Sequence, residues 1–592
     1  MSEIHNIKGG TKIEQKHTEQ SVMINGLFGF FIENQDFKFN LTSNDYIQNI
    51  YPFSEGLIGR EVINKLDKDR FFVTKDKVTI CFEGINLSEK LVNIDDFFSS
   101  YQSNGIDFVN DLKGVYSGYV LDENTKKLYI FNDNLATKPI YYYFDQKYGF
   151  AFASSLQTLT GSLKKNNIPF SMNKDAVYMM ALYAFILGNQ TYVSEIKSLP
   201  YSSLLTYDFT ENKLKIEKLF SYKADKIDID YNDAIDKIEK LLVKSIDNIW
   251  KKNKQYSDKY FTLLSGGMDA RVNAVIAKEL GYKNITSLTF GQSKSKDMLY
   301  AEKIAVGESF NHYSRLLNGG NYLIDNIYEN YIVPNDGMIF FNGSAHMSSS
   351  LRQFDLKNFP IIHSGQIGDV LFGAFNKQHF DFFKNKQSIG YTGFVKHPEL
   401  LEKISSLDAI LQEYQEKGYE LYAYEQRQIH ATIMGDRSIA GFVDTISPFY
   451  DKELIQLCIS LPDSYKNTQR IYFDWLKKYH PQVLNYPWDK IEMKPTSFIK
   501  IKLGYLFKRY FNGFKKYFNL GYESMNPYGK WLKENKKIEL TLKEILESEI
   551  TKPYIDNNLK KDLLLIYADD IFESRNKFAV VTTLLALKLH FG

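Results

Sequence analysis

The chain has 592 residues, with 73 Lys+Arg against 71 Asp+Glu for a formal net charge of +2, and it is 44% hydrophobic and 15% aromatic. At roughly 100–200 residues per domain, this length excludes a single small binding module and predicts two to four domains, each with a core of its own. The near-neutral balance excludes a general nucleic-acid binder, which needs a strong basic field, and the abundance of Phe and Tyr excludes a disordered chain.

The first residues, Met1-Ser2-Glu3-Ile4-His5, lack the apolar core of a signal peptide. From Met23 to about Asp208 the text is strand-like, with short β-rich pieces at Lys77–Phe82, Val115–Leu121, Lys127–Phe131 and Gly149–Ala153 separated by Asn, Asp, Lys and Gly turns. The apolar run Ala176–Leu187 is shorter than the roughly 20 residues that cross a bilayer and reads as a buried helix, so no membrane span is expected. Thr210–Asp230 is charged and linker-like, which puts a domain boundary near 215–230. From Asn232 the period changes: Ala234, Ile235, Ile238, Leu241, Leu242 and Ile246 recur at helical spacing, before a strand at Tyr260–Leu264 and a helix from Ala270. The stretch 498–532 interleaves Lys and Arg with Tyr and Phe; it is expected to be a surface helix with one apolar and one basic face, the alternative being a stripe that holds an acidic peptide or a membrane surface. Two cysteines, Cys81 and Cys458, are too few for a disulfide scaffold or a thiolate metal site, and the expected location is the cytoplasm. The ten histidines show no metal-ligand spacing, and His363 reads as a packed strand residue.

The sharpest motif is Phe261-Thr262-Leu263-Leu264-Ser265-Gly266-Gly267-Met268-Asp269, an apolar strand running through a Ser-Gly-Gly turn into a helix. Such a turn brings backbone amides and a helix N-terminus to phosphate oxygens, and leaves Asp269 available to hold magnesium against them. Ile361–Gly373 repeats the logic of strand, glycine turn and acid, with Asp369 as a second carboxylate for the same cation. By itself the second motif is equally a βα loop whose glycines serve only the turn.

Taken together these motifs resemble the asparagine synthetase family, and the resemblance runs from about residue 23 to beyond 495. Ser265–Asp269 is similar to the family's Ser-Gly-Gly-x-Asp-Ser loop, and Ser364–Phe372 to its Ser-Gly-Glu-Gly-Ala-Asp-Glu-Leu-Phe loop. Asp436–Ala440 with Ser447–Asp451, Thr289-Phe290-Gly291, Lys138–Tyr142 and Phe152–Ser155 resemble further family segments in the same order. The resemblance implies an α/β plus α+β architecture: residues 23–215 form a degenerate Ntn-hydrolase, glutaminase-like αββα sandwich after an extension over 1–22, and residues 231–592 form a PP-loop, Rossmann-like synthetase domain. It implies ATP and Mg2+ as cofactors, with Leu263, Ser265, Gly266, Gly267, Met268, Asp269, Phe290 and Gly365 around the nucleotide and Asp269 and Asp369 on the metal. It also implies activation of a small-molecule carboxylate or peptide as an acyl-adenylate with release of pyrophosphate, then capture by an amine or ammonia. Arg470 falls where the family carries a basic residue towards pyrophosphate, and Lys494 where relatives carry a lysine that neutralises the tetrahedral intermediate. Each of these two cations, taken alone, would also suit a solvated surface.

The departures bear on substrate. Asn25, in Asn25-Gly26-Leu27-Phe28-Gly29, occupies the position of the glutaminase nucleophile, and an amide cannot serve as one. The glutamine-gripping element is degraded to Phe82-Glu83-Gly84-Ile85-Asn86. Ala270 and Val370 replace a Ser and an acid of the family loops, and Gln366 stands where the family has Glu, or Tyr in β-lactam synthetase. A Gln cannot be a general base, which leaves Asp436 and Asp444 as the nearest candidates by motif, although either also suits a cap or an ion pair. The expected activity is an amide ligase without its own glutamine hydrolysis, of the β-lactam-synthetase or lasso-peptide macrocyclase kind. Asparagine formation from ammonia and a non-catalytic nucleotide-binding relative are the alternatives, and a homodimer stays open.

Overall fold

A computed structural model describes residues 4–6, 26–32, 46–376, 379–506, 524–569 and 574–592. Asn25 and the part of the basic aromatic stretch over 507–523 lie outside these residues.

Two six-stranded antiparallel sheets make up the N-terminal unit. One runs in the order Ile196–Ser198, Tyr141–Asp145, Gly149–Ala153, Gly26–Phe31, Gly56–Ile63, Tyr46–Phe53; the other runs Lys213–Lys218, Ser203–Asp208, Lys127–Asn132, Gly114–Asp122, Val78–Asn86, Phe71–Lys75. Their facing sides close over Leu27, Ile58, Tyr119, Ile130, Phe150, Phe152 and Leu205, the interdigitated core of a sandwich. Helices cover the outer faces, giving the αββα layering: Ile94–Asn104 seats Phe97 against Ile80 and Phe82 of the second sheet, and Leu156–Lys165 packs beside the strands of the first. The predicted strands all form, within a few residues at each end.

Three expectations change. The apolar run from Ala176 is buried and helical, but the helix spans Lys174–Tyr183 and stops at Ala184, whose φ of 65° breaks the ladder three residues before Leu187. Lys213–Lys218, read as linker, is an edge strand, because Leu214 and Ile216 alternate with exposed lysines and are half-buried against the sandwich; the charges hid a period of two. Ile4–Asn6, read as part of an extension, pairs antiparallel with Asn311–Leu316 in the C-terminal unit.

The C-terminal unit is built on that parallel sheet, in the order Asn311–Leu316, Ile285–Gly291, Tyr260–Leu263, Ile361–His363, Asp444–Ile446. One face carries Phe261, Leu288 and Ile362 against Ile439 and Val443. The other is covered by Tyr231–Lys254, which buries Ala234, Ile235, Ile238, Leu242 and Ile246, and by Met268–Glu279, as a parallel sheet requires. His363 is fully buried, its ring 4.2 Å from that of Trp250. The chain order runs outward in both directions from Tyr260–Leu263, so the switch point of the topology lies between this strand and Ile361–His363, and ligands of open α/β sheets bind in the crevice at such a point. Residues 498–506 are helical and Tyr528–Glu534 forms a further helix that buries Trp531 and Leu532. Among the described residues no helix is long and apolar enough to cross a membrane.

Candidate active site

The two glycine turns leave the C-terminal ends of these adjacent strands and close on each other. A Cβ on Gly365 would fall 2.2 Å from the Ala270 nitrogen, and one on Gly368 would fall 2.5 Å from Cγ of Asp269. Only a glycine lets the loops approach so near. Between these glycines Ile367 sits at φ 62°, a costly conformation for a β-branched residue and one that accumulates at functional sites. In the first loop Ser265 Oγ accepts the Gly267 N–H at 3.2 Å, and Gly267 precedes the helix Met268–Glu279, whose opening amides face the crevice. Arg271, fully buried, fixes this loop from behind by donating to the carbonyls of Gly266 (3.1 Å), Tyr486 (3.1 Å) and Pro487 (2.7 Å).

The acids meet here. The Asp369 amide donates to Asp269 Oδ2 at 2.8 Å, Tyr472 Oη donates to Asp269 Oδ1 at 3.1 Å, and Lys490 Nζ lies 3.3 Å from Asp369 Oδ2. Burial and then the charge of Asp369 push the Asp269 carboxyl up to about 8, against the pull of the Asp369 amide, Lys490 and Tyr472. A carboxyl so strained by a like neighbour is relieved by a cation. This pair of hard oxygen donors beside the amides that open a helix has the donor chemistry of a magnesium site, since that ion takes one or two protein carboxylates and completes its shell with phosphate and water. Among the described residues no group of three or more His, Cys, Asp or Glu side chains forms a metal cage. Leu263, Met268 and Phe290 stand at the same end of the sheet, Phe290 with its ring 5.3 Å from that of His346.

Gln366 leads from this loop to a second cluster. Its Nε2 donates to Asp436 Oδ1 at 2.7 Å, its Oε1 accepts from Tyr450 Oη, and its carbonyl accepts from Ser447 Oγ at 3.0 Å. Thr445 Oγ1 also donates to Asp436, and Tyr450 Oη reaches the same carboxylate at 3.3 Å. Burial raises the Asp436 carboxyl to about 6, with Thr445, Gln366 and Tyr450 holding it from rising further, a value suited to taking a proton near neutrality. Asp444 is different. Burial alone would raise it, but Arg70 and then Lys138 outweigh that and bring it down to about 2. With Lys138 at 2.7 Å and Arg70 in direct contact, it is the acid of an ion cluster completed by Glu83, 3.1 Å from Arg70. Of the two acids named as bases, only Asp436 has the environment of one.

Neither predicted cation reaches the carboxylate pair. Arg470 bends back to Asp474 at 3.3 Å and over the Tyr231 ring, with its side chain 56% exposed. It opens the helix Arg470–Tyr479, and two residues, or about 200° of helix, separate it from the side that Tyr472 presents to Asp269. Lys494 is exposed. Among the described residues the cation that reaches the pair is Lys490, four residues before the expected lysine in a segment that returns to the loop, where the Asp489 amide meets the Gly266 carbonyl at 3.4 Å. Sequence reasoning also missed Tyr472 and Tyr450; the aromatic run Tyr472-Phe473-Asp474-Trp475 was a signal, since Phe372 of the second loop stacks on Tyr472 at 4.2 Å.

A family model described as a glutamine amidotransferase domain matches residues 96–220, within the N-terminal unit. Putative asparagine synthetase [glutamine-hydrolyzing] 1 of Methanocaldococcus jannaschii is 23% identical over 372 residues, 61% of this chain and 58% of its own length. Asparagine synthetase [glutamine-hydrolyzing] 2 of Bacillus subtilis is 24% identical over 233 residues, 37% of this chain and 30% of its own length. The chain thus spans at most a little over half the length of these relatives. Among solved structures, the NH3-dependent NAD synthetase of Campylobacter jejuni aligns at 14% identity and a TM-score of 0.18, covering 33% of this chain and 91% of that one. The NMN synthetase of Francisella tularensis aligns at 16% and 0.18, covering 43% and 95%.

Proposed function

We propose that the chain is a divergent relative of the asparagine synthetases it resembles and acts as an ATP-dependent amide ligase that activates a carboxylate as an acyl-adenylate, releases pyrophosphate and passes the acyl group to an amine. The observation that carries this reading is the closure of the two glycine loops, which sets the Asp369 amide 2.8 Å from Asp269 and Lys490 3.3 Å from Asp369. The loop amides of Gly266 and Gly267 and the helix behind them bind the phosphates, and Lys490 adds positive charge where pyrophosphate leaves. Asp269 and Asp369 would hold a magnesium ion, which when bound offsets charge on the departing pyrophosphate. In the second step Asp436 accepts a proton from the amine nitrogen as it bonds to the acyl carbon, and AMP departs with the electron pair of the acyl–oxygen bond. Gln366 and Tyr450 aim that carboxylate. The degraded glutamine element and Asn25 support an amine that comes from a separate molecule, from ammonia or from the acyl substrate itself.

The test is pyrophosphate release from ATP and magnesium chloride across a panel of amino acids, N-acylated amino acids and short peptides. Acid-dependent release supports the ligase, and the responding acid gives its substrate class. ATP binding without release for every acid would favour a nucleotide-binding relative. With a responding acid in hand, Asp436→Asn is expected to lower amide formation about 100-fold while changing pyrophosphate release less than about threefold, since a general base contributes roughly that factor and acts only in the second step. The wild-type amide-forming rate should rise with pH through about 6, where the carboxyl loses its proton; equal losses in both steps would place Asp436 elsewhere in the mechanism.

A further inference from the structure

The segment that carries Asp436 meets the N-terminal unit at three points. At its start Arg437 Nη2 pairs with the fully buried Asp336 at 2.7 Å. Asp336 in turn accepts the opening donors of the helix Leu156–Lys165, namely Ser155 Oγ (2.9 Å), the Leu156 amide (3.0 Å) and the Gln157 amide (2.9 Å). Eight residues after Asp436 the chain returns as the edge strand Asp444–Ile446, and its first residue is the acid held by Arg70 and Lys138. The next residue, Thr445, holds Asp436 itself. Beyond the strand, Tyr450, which braces both Asp436 and Gln366, has its carbonyl bound by Asn134 Nδ2 at 3.1 Å. A cavity lies between the ties, walled by Glu83, Ser117 and Lys138 from one unit and by Asp436, Arg437 and Tyr450 from the other.

None of Arg70, Lys138 and Asn134 bonds to Gln366 or Asp436 directly; each acts through a residue that does, or through that residue's neighbour. A carboxylate keeps one orientation only if its flanks are fixed; here the C-terminal unit holds Ser438 and the strand Asp444–Ile446, and the sandwich adds ties at Asp444 and Tyr450 and, through Asp336, at Arg437. Asp444 makes the tie strong, because a buried acid so paired cannot leave without exposing unpaired charge on both sides.

We propose that the N-terminal unit serves as a positioning scaffold for Asp436, with Lys138, Arg70 and Asn134 as positioning residues that hold the segment 436–450 in register with Gln366. The assignment rests on the ligase reading for what Asp436 does, but not for how it is held. In this role the sandwich works without hydrolysing anything.

The experiment is carboxyl labelling of the full-length protein with a water-soluble carbodiimide and glycinamide, read by peptide mass spectrometry at Asp436, Asp269 and Asp369. Lys138→Met is expected to raise the labelling rate of Asp436 by about fivefold, the size of a local opening that costs little stability, and to leave Asp269 and Asp369 within about twofold of wild type. Lys138→Arg, which keeps the charge, should label as wild type does. So should Lys113→Met, which breaks the exposed inter-unit pair Lys113–Glu453 (2.9 Å) away from the segment. Asn134→Ala, which cuts a different tie at a half-buried side chain, should raise Asp436 labelling as well, so the comparison survives if Lys138→Met does not fold. Unchanged Asp436 labelling in the soluble variants, or a rise shared equally by Asp269 and Asp369, would overturn the scaffold. Labelling needs no turnover, so a wild-type protein that releases no pyrophosphate would end the ligase reading and still decide this one.

Discussion

Asp269→Asn is expected to reduce ATP-dependent pyrophosphate release by at least about 100-fold, the scale on which loss of one charge-stabilising group acts at a developing anion. The substitution keeps the shape of the side chain and changes two things. It removes half of the charge pair on which a divalent cation would sit, and it spoils a hydrogen-bond pattern in which both carboxylate oxygens accept, one from the Asp369 amide at 2.8 Å and the other from Tyr472 Oη at 3.1 Å. An amide can accept on only one side, so its NH2 must face a donor, and the second loop loses its seat on the first. Tyr472→Phe isolates the lesser part: it removes a single hydrogen bond and keeps the stack on Phe372. A loss of about three- to tenfold is expected there, in line with roughly 1 kcal/mol for one such bond. Both variants are compared in a continuous pyrophosphate assay with the responding acid at saturation. Full activity in Asp269→Asn would mean that the phosphates are bound away from the two loops.

The largest effect on stability is expected at Arg70. Its guanidinium is buried between Asp444 and Glu83, also contacts the Ile63 carbonyl, and has side-chain exposure of only 3%. Arg70→Met fits the volume but leaves Asp444 and Glu83 with the Lys138 ion pair and the more distant charge of Lys65, and stranding buried charge in this way costs about 3–5 kcal/mol. Urea unfolding at pH 7 should show a correspondingly lower midpoint, and a change below about 1 kcal/mol would contradict the assignment of this cluster as a buried tie. Acid gives a second check with a fixed sign. The Asp444 carboxyl is held down to about 2 in the folded chain against roughly 3.9 unfolded, so its contribution is complete above the unfolded value and disappears as pH falls through the folded one. Wild type should therefore lose stability from about pH 4 towards pH 2. With Arg70 gone the folded value rises, and the gap between variant and wild type should narrow over the same interval.

Much of the architecture was legible in the sequence because local patterns agree with the final environment. The strand Gly149–Ala153 begins and ends where its pattern says, and the helix Tyr231–Lys254 buries its predicted apolar stripe apart from Leu241, which is half-buried. The edge strand Lys213–Lys218 failed for the opposite reason: four of its six residues are charged, and only the sandwich shows that Leu214 and Ile216 share one side. The helix from Lys174 could not be ended correctly, since nothing in the apolar run announces that Ala184 turns left-handed.

The candidate site divides the same way. The sequence alone determined the two glycine turns and their acids, because a strand, a glycine pair and a helix start form one contiguous piece of chain whose backbone geometry depends on neighbours in sequence. Which cation reaches those acids, and which acid has the surroundings of a base, depend on partners apart in sequence: 121 residues for Lys490 and Asp369, 70 for Gln366 and Asp436, 374 for Arg70 and Asp444. Arg470 fits the family's pattern but points at Asp474, while Lys490 reaches Asp369. Asp436 and Asp444 look alike on paper, yet one is surrounded by neutral donors and rises to about 6, and the other meets Arg70 and Lys138 and falls to about 2. An ionisable group takes its properties from the charges and burial around it, and only the tertiary structure brings those together.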